Sequence, residues 1–407
     1  MDTIGPRKPR LLSIFNDYLE KGGEAEGVRQ ICNSLRPVLE LQECLFRSDD
    51  WLGAEAPNRL QQALWMIHNP KSIATLRAAH RSFEPDAWLA HNVFPVGSGA
   101  IYREAIRSGV PVIQYLHNFR PFSVNGYLWA GGKVAPGGLR KNYFEEIRRG
   151  AWQDSRLKTA WFAAVLRLMH TFGWWRSVRA WIAISEFVRD KMIEAGVPAA
   201  DVFTLHYNWH LRAEPKDAVK DGKHYLFLGR LIEAKGIVVL LDAWKKLEQR
   251  LGTRAPQLII AGSGPLQDFV AASAQNLRTV TFAGELSGAA KRLALVGARA
   301  VIIPSLWWEA LGLVVYEAYD YSKPVLAAKS GGLSETVFHG RTGLQHVPGD
   351  ADQLADQVVE LDANVEARRR MGREGRLWLE EEMSEERWRE NFLKILAYAT
   401  NTASRTR

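Results

Sequence analysis

The sequence predicts an α/β protein of two domains, each built on an open, mostly parallel sheet. Three observations carry that prediction. Strand-like runs repeatedly pass through a glycine turn into helix-periodic sequence. The chain of 407 residues is longer than one hydrophobic core ordinarily organises. A polar stretch, residues 212–223 (RAEPKDAVKDGK), separates two such series and reads as the interdomain linker.

Arg10–Asn16 (RLLSIFN) is the first buried strand, followed by Gly22-Gly23 and by helical periodicity from Val28 to Leu39, broken at Pro37. Such a unit can bring backbone N–H groups and a helix N-terminus toward an anion, although this fragment alone fits a plain tight turn equally well. A strand near Leu45, an acidic turn at Asp49-Asp50 and helical sequence come next. Ala87–Asn92 and Gly109–Asn118 read as strands, each ending in a His-Asn pair: His91-Asn92 and His117-Asn118. Open α/β sheets bind ligands outside the carboxyl ends of their strands, so these pairs mark a candidate pocket. Gly126–Gly138 is a loop beside it. Ala180–Ser185 is another strand, with Ser185 capping the helix SEFVRDKMIEAG, and Val202–Tyr207 a short one before Asn208.

The second series starts at His224–Leu228, which leads into a loop carrying Arg230 and Lys235 and then a helix over 237–250. Gln257–Ala261 runs into Gly262, Arg278–Phe282 into Gly284, and Ala300–Pro304 into the stretch Pro304–Gly343. Three helices close the chain at 351–361, 364–380 and 384–399, and 400–407 reads as a disordered tail.

Composition narrows the function. No apolar run approaches the roughly 18 residues of a membrane span, and the basic N-terminus lacks a leader core. Cys32 and Cys44 lack metal-site spacing and read as core thiols. The net charge is +8, and residues 140–181 hold nine Lys/Arg against three Asp/Glu, interleaved with tryptophan and phenylalanine. That pattern fits peripheral contact with an anionic membrane or a lipid-linked acceptor, and equally a helical pair with core aromatics. It lacks the spacing of an RNA-binding module, so no nucleic-acid partner is expected.

The chemistry gathers on Arg230, Lys235, Glu309, Glu317 and the Gly331-Gly332 turn. A planar guanidinium and a point-charge ammonium both suit phosphate oxygens. If 309–317 is helical throughout, the two acids stand about 12 Å apart by the helical rise. A glycosidase pair needs about 5–9.5 Å, so that chemistry is excluded. The separation matches an extended ligand shaped like a diphosphate-bridged nucleotide sugar. Asp350-Ala-Asp352 spells a metal-type triplet but reads as a helix cap.

These residues stand in a pattern: Gly229-Arg230…Lys235-Gly236, Gly262-Ser-Gly-Pro265, Pro304-Ser305…Glu309…Glu317-Ala318, Lys323-Pro324-Val325, Gly331-Gly332-Leu333 and Gly340–Gly343. The pattern closely resembles the retaining glycosyltransferases of the GT-B fold, family 4. The segments at His91–Ser98, Gly109–Pro121, Ser155–Ala160 and Ile182–Gly196 resemble a bacterial surface-polysaccharide subset. The likeness reaches from residue 10 to about 395.

The resemblance implies an acceptor domain (1–211) and a donor domain (212–383), both Rossmann-like and facing across a cleft, with a helix (384–399) crossing back to the first. It implies a cytoplasmic enzyme at the inner face of the plasma membrane, with a nucleotide-diphosphate sugar as donor, a glycan or lipid-linked acceptor, no cofactor and no catalytic metal. Arg230 and Lys235 would hold the diphosphate, Glu317 the ribose, and Glu309 with Ala310, Leu311 and Gly312 the transferred sugar. His117 would contact that sugar near its anomeric centre. Gly22, Gly23, Asn208, Gly262, Gly284, Gly331, Gly332 and Leu333 would complete the donor site, and His91, Asn92, Asn118 and Arg120 would serve the acceptor. Trp307-Trp308 is unusually bulky and would wall the sugar pocket. GGEAE leaves open whether Glu24 or Glu26 holds the family's glutamate position. A GT-B-fold nucleotide-sugar epimerase and a catalytically silent nucleotide-sugar-binding protein remain as alternatives.

Overall fold

The computed structural model describes residues 7–19, 23–213 and 222–404. It divides into two compact units, one of Met1–Ala130, Ala135–Asn208 and Glu385–Arg407, the other of Gly131–Val134 and Trp209–Ser384.

The first unit is built on a six-stranded sheet. Its strands are β1 (Arg10–Asp17), β2 (Glu40–Arg47), β3 (Ala87–Ala90), β4 (Val112–Leu116), β5 (Val178–Ala183) and β6 (Val202–Thr204), in the order β2-β1-β3-β4-β5-β6. All neighbours are parallel. β3 and β4 are buried along their whole length, so neither alternates apolar with polar residues, and Gln114 is the one polar member of the two. Helix starts follow local chemistry. Ser185 Oγ accepts from Val188 N at 3.1 Å, and Asn58 forms a reciprocal capping box with Gln61.

The helix Glu385–Ser404 belongs to this unit. Trp388 and Phe392 are buried with rings 5.4 Å apart, Arg389 Nε donates to Ser34 O at 2.8 Å, and Tyr398 Oη donates to Asp201. The helix continues to Ser404, so residues 400–404, expected to be disordered, extend its last turn; 405–407 lie outside the described residues.

The second unit carries β7 (His224–Leu228), β8 (Gln257–Ala261), β9 (Val280–Gly284), β10 (Ala298–Ile303), β11 (Val325–Ala328) and β12 (Gly343–His346), all parallel, in the order β9-β8-β7-β10-β11-β12. Tyr225, Phe227, Trp244, Leu258 and Ile302 stand in its core.

The chain enters this unit at Trp209, ahead of the expected linker. The reason is Asp320, which is fully buried. It accepts from Trp209 Nε1 at 3.1 Å, Arg212 N at 2.9 Å and Ala213 N at 3.1 Å, and it pairs with Arg376 at 2.9 Å. Four donors on one carboxylate fix 209–213 in place. Residues 214–221 of the expected linker lie outside the described residues.

Among the aromatics of 140–181, Phe162, Trp174 and Trp181 are core residues, while Phe172 stands exposed. The segment is therefore part core and part surface. Cys32 and Cys44 are free and buried, as core thiols should be. Among the described residues no helix is long and apolar enough to cross a membrane.

Candidate functional site

In each sheet, candidate side chains collect where strand order reverses, between neighbouring strands whose connections run to opposite sides. A crevice opens at such a point outside the carboxyl ends. In the second unit it lies between β7 and β10.

Lys235 ends the short turn Glu233–Lys235 that follows β7, and its ammonium stands 2.6 Å from Glu309 Oε1 beyond β10. Ser305 Oγ donates to the same oxygen at 2.6 Å. Glu309 is buried. Burial pushes its carboxyl up, but the Lys235 charge and hydrogen bonds from Lys235, Ser305 and Trp307 outweigh it and hold the group below the usual carboxylate range. Glu309 is therefore ionised at neutral pH. Two further N–H donors of the Lys235 ammonium remain to be placed.

The buried Trp307 ring lies 5.0 Å from Lys235 Nζ and 5.5 Å from Arg230 Cζ. It is thus a platform for two cations rather than only a wall of a pocket. Sequence reasoning did not find that role, although an aromatic beside two glycine-flanked cations was a usable signal.

The stretch 309–312 is not helical. The helix starts at Leu313 after Gly312, which has φ +93°. The separation expected from continuous helix therefore does not apply. Glu317 lies on this helix with Oε1 2.7 Å from Lys291 Nζ, while its Oε2 is buried without a hydrogen-bond partner. A carboxylate oxygen so placed calls for a donor.

The glycine turn has a packing role beside the expected one. Gly332 N donates to Glu309 O at 2.8 Å and Leu333 N to Ser330 O at 3.3 Å, so neither amide is free for an anion. A Cβ on Gly331, which has φ +59°, would stand 2.2 Å from Glu309 O. The pair lets two backbone segments touch and thereby seats Glu309. Leu333 is fully buried, with its Cδ2 on Gly312. Ala310 is half-buried and Leu311 buried within the same turn. Gly262 likewise admits Gly229 O where its own Cβ would be, and its N–H donates to Gly284 O at 2.8 Å, closing the ends of β7, β8 and β9.

In the first unit the crevice lies between β1 and β3. Glu24, on the first turn of the helix Gly23–Leu35, receives Asn92 Nδ2 on Oε1 at 2.5 Å and Asn118 Nδ2 on Oε2 at 3.2 Å. Burial pushes its carboxyl up to about 7, against the Asn92 hydrogen bond and the Arg120 charge, which lower it. Glu26 instead pairs with Arg29 at 2.6 Å, so of the two acids Glu24 is the one that meets the strand-end amides. Arg120 N donates to Asn118 Oδ1 at 2.9 Å, and Arg120 Nε is buried without a partner. Gly23 is exposed at the helix start, and Gly22 lies outside the described residues.

The histidines form a relay. His91 Nδ1 and His117 Nε2 are 2.8 Å apart, and His117 Nδ1 meets Tyr207 Oη. Burial holds the His91 imidazole down to about 3, and burial with the His91 neighbour holds His117 well below its ordinary value, so both rings are neutral. Both His117 nitrogens are engaged by side chains of its own unit. Asn208 is held on one side only, its Oδ1 being buried without a hydrogen-bond partner. Its Nδ2 donates to Ser34 Oγ at 2.5 Å and its carbonyl accepts from Gln30, which holds it beside the helix Gly23–Leu35.

Asp350 caps the helix Ala351–Ala363 through Gln353 N at 2.8 Å, and Asp352 pairs with Lys246 at 2.6 Å and Arg250 at 3.2 Å. The triplet reads as cap and ion pair.

Two family models match the chain in tandem, "Glycosyl transferase 4-like domain" over residues 28–208 and "Glycosyl transferases group 1" over residues 212–378. An uncharacterised glycosyltransferase of Methanocaldococcus jannaschii is 31% identical over 159 residues, which are 38% of this chain and 40% of that one. Alpha-D-kanosaminyltransferase of Streptomyces kanamyceticus is 28% identical over 352 residues, 82% of this chain and 80% of that one. The chain spans about half the length of several other curated relatives it matches. Among solved structures, Anabaena HepE in complex with UDP and glucose superposes with a TM-score of 0.66 at 17% identity, covering 96% of this chain and 99% of that one.

Proposed function

The chain belongs to the family 4 glycosyltransferases of the GT-B fold, and from that premise we propose that it is a retaining enzyme moving a sugar from a nucleoside-diphosphate sugar to a hydroxyl of a glycan or lipid-linked acceptor. The setting would be bacterial polysaccharide or glycolipid synthesis at the inner face of the plasma membrane.

The observation that carries the reading is the pairing of two cations on Trp307 with an ionised Glu309 at the strand-order reversal of the second sheet. Arg230 and the remaining donors of Lys235 neutralise the diphosphate as the bond from the anomeric carbon to its phosphate oxygen breaks. The acceptor oxygen bonds to the same face of that carbon, and its proton passes to the departing phosphate oxygen. Glu309 orients hydroxyls of the transferred sugar. Glu317 Oε2 accepts from the ribose, which satisfies its unpaired oxygen. The UDP and glucose bound by HepE support a donor of this class. In the first unit, Glu24, Asn92, Asn118 and Arg120 receive the acceptor, and the His91–His117–Tyr207 relay braces the strand ends behind them. The leaving-group charge is met by side chains, so no catalytic metal enters the reaction.

Calorimetric titration with UDP, GDP, ADP and their glucose or mannose derivatives tests the donor site. One nucleotide series binds, and Arg230→Ala weakens it at least about tenfold, or about 1.4 kcal/mol. A chelator leaves both binding and transfer unchanged. Absence of binding across the series overturns the donor reading. Strict dependence on an added divalent cation overturns the metal-free mechanism.

A further inference from the structure

We propose that the first unit lies against an anionic lipid bilayer through the outer faces of the helices Arg156–Thr171 and Arg59–Ile67. This deepens the membrane-face location assigned above and names the surface responsible.

The helix Arg156–Thr171 is apolar on two sides. Its inner side, with Thr159, Phe162, Val165, Leu166 and Met169, is buried in the unit. At about 100° per residue, Leu157, Trp161, Ala164, Leu168 and the capping Phe172 fall within an arc of about 80° on the other side. Leu157 is 82% exposed and Phe172 64% exposed. Ala164 is exposed as well, and Trp161 and Leu168 are half-buried. A globular helix ordinarily turns a polar face outward, so the exposed members of this second stripe, Leu157, Ala164 and Phe172, are not spent on the core of the unit.

The stripe does not end at this helix. Trp161 Nε1 donates to Ala63 O at 3.0 Å, tying the helix to Arg59–Ile67. There Leu60, 71% exposed, and Leu64, 52% exposed, stand one turn apart. Two neighbouring helices thus present leucines outward.

Charge decides the occupant. On the same helical wheel, Arg156 and Arg167 flank one margin of the stripe and Lys158 the other. All three are exposed, as is Arg59. Neither 59–67 nor 156–172 contains an acidic residue. An apolar band whose own helices carry cations and no acids matches the acyl boundary and phosphate layer of an anionic bilayer. A protein partner would need an acidic rim around an apolar ridge of matching shape, whereas a bilayer supplies an anionic layer over an apolar one without such matching.

The test is cosedimentation of the full chain with vesicles of pure phosphatidylcholine or of phosphatidylcholine mixed with phosphatidylglycerol. The chain should partition onto the mixed vesicles and not onto the neutral ones. Arg156→Ala, Lys158→Ala and Arg167→Ala together should lower the partition coefficient on the order of 100-fold. Leu157→Ser with Phe172→Ser should also abolish it, while nucleotide affinity and the melting curve stay unchanged because these side chains are exposed. Equal binding to both vesicle types overturns the proposal, and so does no binding to either. If the charge variant loses binding, the serine variant keeps it, and a soluble polyanion such as heparin competes fully, the surface takes an acidic polymer and the proposal fails. Nucleotide affinity, measured in the same samples, tells failure of this surface from failure of the donor site.

Discussion

Glu24 shows how one side chain can set a pH response. The folded chain holds its proton up to about 7, against 4.5 for an ordinary glutamate. Between those values the folded Glu24 binds more protons than the unfolded one. Against the opposite slope of the buried neutral His91 and His117, its own contribution to stability is therefore greatest below 4.5 and declines as pH rises toward 7. Glu146, also pushed up to about 7 by burial, adds a slope of the same sign. Glu24→Gln should remove this group's share of the slope, read as the difference in urea midpoint between variant and wild type across the range. In wild type, kcat/KM for acceptor should climb through pH 7 as the carboxylate forms. In the glutamine variant that step should vanish while donor affinity stays constant. A step that persists in Glu24→Gln removes this residue from acceptor recognition. The sequence made Arg230, Lys235, Glu309 and Glu317 legible because their spacing and charge are chemical statements in themselves. It left Glu24 and Glu26 undecided because two residues of helix separate an inward acid from a solvated one. The internal partners of Asn208 and His117 were not legible, because a strand-end position does not reveal which way a side chain bonds.

Secondary structure was legible wherever apolar periodicity and glycine punctuation agreed, as in β3, β4, β7 and β8. It failed at 309–312, where apolar sequence suits a helix but Gly312, at φ +93°, delays its start. The backbone contact between Gly331 and Glu309 was likewise invisible, since no pattern announces which glycine another strand end will touch. Gly331→Ala must move that contact from 2.2 Å while holding φ at +59°, and should cost about 1–3 kcal/mol. It should also weaken nucleotide binding by displacing Glu309, whereas Gly340→Ala, with open space at its Cβ, serves as the strain control without that contact. Asp320 offers a second element-level test. Its replacement by alanine strands Arg376, the Trp209 indole and two amides at once, and should destabilise the second unit by about 3–5 kcal/mol in chemical denaturation. Donor affinity extrapolated to the folded fraction should remain that of wild type.

At the scale of the molecule, two parallel sheets could be read from repeated strand–glycine–helix units, but the strand orders could not, because register and adjacency depend on contacts far apart in sequence. The orders matter most for function, since each reversal brings side chains from distant segments together: Lys235 to Glu309 in one sheet, Glu24 to Asn92 in the other. One consequence concerns the time course of biosynthesis. The first unit closes with Glu385–Ser404, a helix made only after the whole second unit. At about 5–20 residues per second, the emerging segment up to Asn208 waits roughly 10–35 s for Trp388 and Phe392 to arrive. During that interval the apolar seat of those rings is open to water and to other nascent chains. A fragment ending at Asn208 should therefore aggregate when expressed alone. A peptide spanning 385–404, supplied in trans, should raise its soluble yield.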